Sequence, residues 1–218
     1  MVSENHHFSN GSAEESAVVV VGADSSIGKA LVPELLLKYK RLILTETSER
    51  YIELKEMEKK IKTFYPTQRI DSFELDIQNE NSIEHFRKFI GDKYQINSLF
   101  YLAGINILIP SLELSGEMWD RILEINLKGF FLMAQCVAKN MILNQGGSIV
   151  GIASQHGVVA NTNRAAYCAS KAGMIHLAKE LAYEWAKYGI RVNTISPTMI
   201  LSEKNKDILE GPRAKREY

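Results

Sequence analysis

Tyr167 and Lys171 stand four residues apart in AAYCASKAG, so on a helix they share one face and reach toward the same ligand. A phenol is a poor base near neutral pH, but an adjacent ammonium favours its ionised form, and such a pair suits the transfer of a proton to or from a substrate oxygen. Spacing alone does not select this pair, because Tyr51/Lys55 and Tyr183/Lys187 repeat it. Tyr167 is set apart by Ser154, which lies thirteen residues earlier at the carboxyl end of the apolar run GSIVGIAS and is joined to it by a polar loop. Ligands of open parallel sheets bind beyond the carboxyl ends of strands, so this hydroxyl and the first turn of the next helix can converge on one substrate. Ser170 precedes Tyr183 by the same interval, but both belong to one helix and sit about 20 Å apart along its axis.

A second constellation lies near the start of the chain. VVVVGADSSIG (18–28) reads as a strand, a turn of small residues and the start of a helix, an arrangement that aims free backbone amides and the positive end of the helix dipole at an anion such as a pyrophosphate. Gly22 and Gly28 permit the tight turn and close helix packing. The motif alone has low specificity, because a strand, a glycine and a helix meet in many proteins that bind no nucleotide. Glu46, directly after the second apolar run, adds to it: a carboxylate there can accept hydrogen bonds from ribose hydroxyls and repel a 2′-phosphate. No arginine precedes Arg50 in this turn or directly after that strand.

The elements that must position these residues alternate between short apolar runs and longer amphipathic stretches, the pattern of β-α-β units around a parallel sheet. Six strands are predicted, at 17–22, 41–45, 70–75, 97–104, 147–154 and 190–196. Between them, Asn81 and Glu84 form a capping-box pattern that opens a helix carrying Ile83, Phe86 and Ile90. The stretch after Ser48 places Leu54, Met57, Ile61 and Phe64 on one face and stops near Pro66; Tyr167–Tyr188 is closed by Gly189. Pro33 is expected to kink or break a helix that begins near Ile27, because it lacks the amide that would bond to the Lys29 carbonyl.

The chain has 218 residues, 45% of them hydrophobic, which is enough for one sizeable core. Residues 1–16, including His6 and His7, read as a flexible polar tail, and 17–218 as a single domain. Lys+Arg and Asp+Glu balance at 26 each, which gives no basic surplus for a nucleic-acid partner. Cys136 and Cys168 have no metal-ligand spacing, and no apolar run approaches the length of a membrane span or signal peptide. These features predict a soluble, cytoplasmic protein with reduced thiols and no metal.

In order along the chain, VGADSSIG, LAG, EINLKGFF, IASQHG, YCASKAG and RVNTISPT resemble the motif series of the short-chain dehydrogenase/reductase family, from Val18 to about Ser202. That resemblance implies an α/β Rossmann-type doubly wound parallel sheet and hydride transfer between a nicotinamide cofactor, NAD rather than NADP, and a secondary alcohol or ketone. It implies that Tyr167 is the general acid/base, that Lys171 lowers its pKa and binds the nicotinamide ribose, that Ser154 orients the substrate oxygen and that Asn126 anchors a proton-relay water. It extends cofactor binding to Gly22, Asp24, Ser26, Ile27, Gly28, Glu46, Asp76, Ile77, Ala103, Gly104 and Pro197, beside Tyr167 and Lys171. Motif detail is most similar to gluconate and sugar-alcohol dehydrogenases, then to 3-oxoacyl reductases, and Gln155 and His156 beside Ser154 suit a polyhydroxylated substrate.

The sequence also departs from the family pattern. Val21 replaces the usual threonine of the glycine turn, Ser26 replaces a glycine where the backbone approaches pyrophosphate, and Tyr101-Leu102-Ala103-Gly104 replaces Asn-Asn-Ala-Gly. The threonine and asparagine are polar partners in the family, so their joint replacement reads as one coordinated change. The chain stops soon after PTMILS, which implies that a terminal strand and helix are missing. The alternative function is a non-catalytic nucleotide-binding or subunit-pairing homologue. Broad apolar faces on 119–142 and 167–188 imply a second apolar partner, and the family resemblance implies that it is another copy paired through those helices, a homodimer without the family's usual tetramer.

Overall fold

The structure, a computed structural model, describes residues 16–200 apart from Asp92. Of the expected tail, 1–16, the described residues include Ser16, which opens the first strand instead; the rest of it, with His6 and His7, and the expected truncation after the last strand lie outside these residues. Six strands form one parallel sheet: β1 (Ser16–Val21), β2 (Arg41–Glu46), β3 (Arg69–Glu74), β4 (Gln95–Tyr101), β5 (Gly147–Ile152) and β6 (Ile190–Ile195). Their spatial order is β3-β2-β1-β4-β5-β6, so the chain reverses direction across the sheet between β1 and β4. A ligand crevice is expected at that reversal, beyond the strands' carboxyl ends.

Helices cover both faces. On one side Val18, Val20, Leu42 and Leu44 pack against α1 (Ser26–Leu36) and α2 (Tyr51–Phe64) through Val32, Leu36, Leu54 and Ile61. On the other, Val19, Leu99 and Ile149 meet α3 (Glu80–Ile90), α5 (Gly129–Leu143) and α6 (Ala165–Trp185) through Phe86, Phe130, Met133 and Met174. A shorter helix, α4 (Gly116–Leu123), precedes α5. Ala17 to Val20 have no exposed surface, which explains why β1 reads as an unbroken apolar run rather than an alternating one.

Three local expectations change. Helix α1 runs through Pro33 to Leu36: Lys29 and Pro33 are both exposed, so the carbonyl that proline leaves unpaired faces water while Val32, Leu35 and Leu36 hold the other side. Helix α3 is capped by Asn79, whose side chain accepts from the Asn81 amide at 3.0 Å, and Asn81 lies within the first turn. The stretch 119–142 is not one regular helix. A π-helical turn, Glu124–Lys128, separates α4 from α5 and carries Asn126.

Candidate active site

The first cleft opens at the switch point, over the carboxyl ends of β1, β2 and β4. It encloses about 350 Å³ and is lined by Gly22, Glu46, Asp76, Ile77, Ala103 and Gly104 among others. Gly22 adopts φ +82°, and a Cβ there would stand 3.0 Å from the Ala103 amide nitrogen, so only glycine lets this turn lie against the end of β4. At Gly28 a Cβ would meet the Ala23 carbonyl oxygen at 2.2 Å, which fixes how closely α1 approaches the turn. Ser25 caps α1 by accepting from the Gly28 amide at 3.0 Å, with Ser26 and Ile27 in the first turn. Asp76 bonds the Gln78 amide through its carboxylate at 2.9 Å. Glu46 is 7% exposed and accepts from the Asp24 amide at 2.8 Å; burial raises its pKa, opposed by that hydrogen bond and by Arg50. These residues fit a dinucleotide: an apolar floor, a helix N-terminus and a carboxylate at the ribose end.

The second cluster lies deeper, where β4, the π turn, β5 and α6 meet. Ser154 stands two residues beyond β5 and accepts from the His156 amide at 3.2 Å, and its side chain lies near enough to the Tyr167 phenol to perturb it. Burial pushes the Tyr167 phenol up, and the neighbouring Ser154 side chain pulls it part of the way back. Lys171 is 3% exposed, donates to the Ile152 carbonyl at 2.7 Å and stands 5.8 Å from the Tyr167 ring centre; burial lowers its pKa to about 8. Asn126 is fully buried. Its carboxamide both accepts from the Ile105 amide at 2.8 Å and donates to the Ile105 carbonyl at 2.9 Å, and it donates to Ser170 Oγ at 3.0 Å. Ser170 in turn donates to the Tyr167 carbonyl. Gly104 is the meeting point: a Cβ there would lie 3.2 Å from Asn126 Oδ1 and 3.3 Å from Lys171 Nζ. Its missing side chain leaves open the space between those groups and the first cleft.

Comparison with known proteins matches residues 16–213 to the family model described as short chain dehydrogenase. The chain belongs to the short-chain dehydrogenase family. It is 38% identical over 198 residues to a Listeria innocua protein named NAD-dependent glycerol dehydrogenase, a match covering 90% of this chain and 75% of that one. It is 43% identical over 142 residues to a Mycolicibacterium smegmatis protein named D-threitol dehydrogenase, covering 65% of this chain and 55% of its relative. Acetoin dehydrogenase from Salmonella typhimurium superposes with a TM-score of 0.77 at 27% identity, over 86% of this chain and 74% of that one.

Within this short-chain dehydrogenase the departures at Val21 and Tyr101 prove to be neighbours. The two are paired across β1 and β4 and share one apolar cluster with Phe130, so the polar link has become a hydrophobic one. Asp24 does not line the first cleft. Its carboxylate is held by Lys29 and Arg50 and faces the groove between α1 and α2, and these two cations outweigh burial to keep it below the usual carboxylate range. Pro197 meets the cluster through its carbonyl, which accepts from the Gln155 amide at 2.9 Å. Sequence reasoning missed Ser25, Arg50 and Arg121 in the wall of the first cleft, and Ser170 against Asn126. Ser25 had a signal, a serine before the first helical turn, whereas Ser170 shows its role only once Asn126 is folded against it.

Proposed function

We propose that the chain moves a hydride between a nicotinamide dinucleotide, NAD in preference to NADP, and the carbinol or carbonyl carbon of a small polyhydroxylated substrate. The observation that carries this reading is that Lys171 and Asn126 converge on the open face of Gly104, with the Tyr167 ring 5.8 Å from Lys171 Nζ and Ser154 beside the phenol. The names of the Listeria and Mycolicibacterium relatives support NAD and a polyol. When bound, the nicotinamide supplies or accepts the hydride at carbon.

The chain's own residues handle the proton. In alcohol oxidation the Tyr167 phenolate removes the hydroxyl proton as the C–H electron pair departs; in ketone reduction the phenol returns it to the developing alkoxide. Ser154 holds the substrate oxygen within reach of that phenol. Lys171 Nζ supplies positive charge beside the ring, which offsets the burial that otherwise keeps the phenol protonated. Asn126, clamped on both sides of Ile105, holds the floor rigid, and its link through Ser170 ties it to the first turn of α6. His156 contributes to the substrate side: its ring stands edge-on to Tyr167 at 6.3 Å, and its Nδ1 is enclosed without a hydrogen-bond partner. That orphaned nitrogen suits a second substrate hydroxyl, with Gln155 beside it.

The subunit is a homodimer in this reading. A groove of about 750 Å³ between the π turn, α5 and α6, lined by Leu123, Leu127, Phe131 and Leu177, gives two copies a shared apolar seam. Titration of the purified protein with NADH and NADPH by fluorescence, followed by rate measurements with glycerol, tetritols and sugar acids, tests the function. Binding of NADH with NAD-linked oxidation of at least one polyol is expected. Failure to bind NADH, or equal kinetics with NADP, overturns the respective part of the reading.

A further inference from the structure

Beside the first cleft lie four charges whose arrangement the hydride transfer does not use: Glu46 and Arg50 line the cleft, and Asp24 and Lys29 line the neighbouring groove between α1 and α2. Asp24 is 4% exposed; one carboxylate oxygen takes Lys29 Nζ at 2.7 Å and the other takes Arg50 Nη2. The same Arg50 nitrogen donates to the Asp24 carbonyl at 2.7 Å, while Nη1 stands 4.0 Å from Glu46 Oε1. Arg50 belongs to the cleft wall, yet its Nη2 is turned onto Asp24 in the strand-to-helix turn. A guanidinium at the ribose end of such a cleft is well matched to a phosphate, since its planar fork offers two parallel donors. Here a carboxylate and a carbonyl of Asp24 already take one arm of that fork, Nη2, and the other arm, Nη1, stands beside the Glu46 carboxylate. Pulling Arg50 away would leave a buried carboxylate with Lys29 as its remaining ion-pair partner among the described residues, which opposes the rearrangement.

We propose that Asp24 is a positioning residue for nucleotide choice: it latches Arg50 away from the ribose 2′ position and so denies a 2′-phosphate the cation that lies nearest to it. Glu46 repels the phosphate, and Asp24 withholds its counter-charge. The latch rests on the dinucleotide reading above and deepens it. It also explains how an arginine four residues beyond Glu46 coexists with NAD preference.

The test measures dissociation constants for NADH and NADPH by fluorescence in the wild type, Asp24→Asn, Arg50→Gln and the double variant. Asp24→Asn keeps the side chain's shape but removes its charge, and it is expected to tighten NADPH by about tenfold while NADH stays within about threefold. The double variant should return NADPH affinity to the wild-type value. That return separates a freed guanidinium from the mere loss of one negative charge, and a double variant that keeps the gain overturns the latch. So does Asp24→Asn that moves NADPH by less than about twofold while the wild type binds NADH normally. If Asp24→Asn does not fold, Arg50→Gln decides: NADPH affinity should change by less than about twofold, and a larger loss overturns the latch because the wild-type guanidinium would already be serving the phosphate. A wild type that binds neither nucleotide removes the dinucleotide reading itself, and the latch with it.

Discussion

At the scale of single residues, Tyr167 and Lys171 sit in surroundings that push both groups toward the neutral form, and the two effects have separable consequences. Tyr167→Phe deletes the proton carrier and little of the wall that holds a nucleotide. It should abolish turnover while leaving the NADH dissociation constant within a few fold, measured by stopped assays and fluorescence titration on the same preparation. A variant that retains most of the wild-type rate would assign the base elsewhere. Lys171 carries a stability cost as well. Its folded pKa is lowered to about 8 from 10.5 by burial, so between those values the unfolded chain binds more protons and this group's contribution to stability rises with pH. Below pH 8 the folded state bears the full cost of enclosing the ammonium. Lys171→Met is therefore expected to melt no lower than the wild type at pH 7, and to gain less stability than the wild type between pH 7 and pH 9. Thermal melts at both pH values, without nucleotide, check it; a markedly lower melting temperature at pH 7 would mean that the bond to the Ile152 carbonyl outweighs the desolvation of the charge.

At the scale of elements, the sequence marks what is repeated and hides what is relayed. β1 and β2 are largely apolar runs and β6 alternates apolar with polar residues, which is why the strands are readable while their ends shift by a residue or more; β3, Arg69–Glu74, is the least apolar of the six. Glu58 shows the limit: it looks like one of many surface glutamates on α2, yet it is 7% exposed and accepts from Lys55, Lys62 and the Ser72 hydroxyl of β3. Burial raises its pKa, but those three partners prevail and hold it at about 2. The folded value lies below the unfolded one of 4.5, so this carboxylate stabilises the fold above about pH 4.5 and loses that contribution as pH falls toward 2. Glu58→Gln should cost about 1 kcal/mol at pH 7, discounted because both lysines are half exposed, and should flatten the acid limb of the stability curve. Denaturant melts at pH 7 and pH 3 measure both effects, and an unchanged acid limb would show that the bridge from α2 to β3 contributes nothing. The π turn was equally hidden. Tyr101 donates its hydroxyl to the Ile125 carbonyl in that turn, and Gly129 leaves room for it, since a Cβ there would lie 2.5 Å from the hydroxyl oxygen. A tyrosine on β4 and a glycine opening α5 reveal their pairing only when the sheet brings them together.

At the scale of the whole molecule, apolar surface remains along α5 and α6 after one chain has folded. Helix α5 has apolar residues around most of its circumference: Phe130 and Met133 are buried under the sheet, while Phe131 and Leu132 are only partly covered. On α6, Met174, Ala178 and Leu181 fill the core, and Leu177 faces the groove beside Leu123 and Leu127. Gly173 lets α6 come close to the π turn, since a Cβ there would stand 2.9 Å from Leu127 Cδ2. The rim carries Asp120, Glu124, Lys128, His176 and Glu180, so an antiparallel copy would meet both signs of charge around an apolar centre. An isologous pair satisfies this surface because the same seam serves both partners. Light scattering should find twice the 24.6 kDa chain mass at micromolar concentration. Leu177→Glu places a carboxylate in the seam without touching the sheet and should shift the mass to that of one chain. Its melting temperature should also lose any dependence on protein concentration, because the dimer's share of stability follows mass action. A wild type that scatters as a single chain would overturn the pairing, and a Leu177→Glu variant that keeps the mass of two chains would place the contact elsewhere than on this groove.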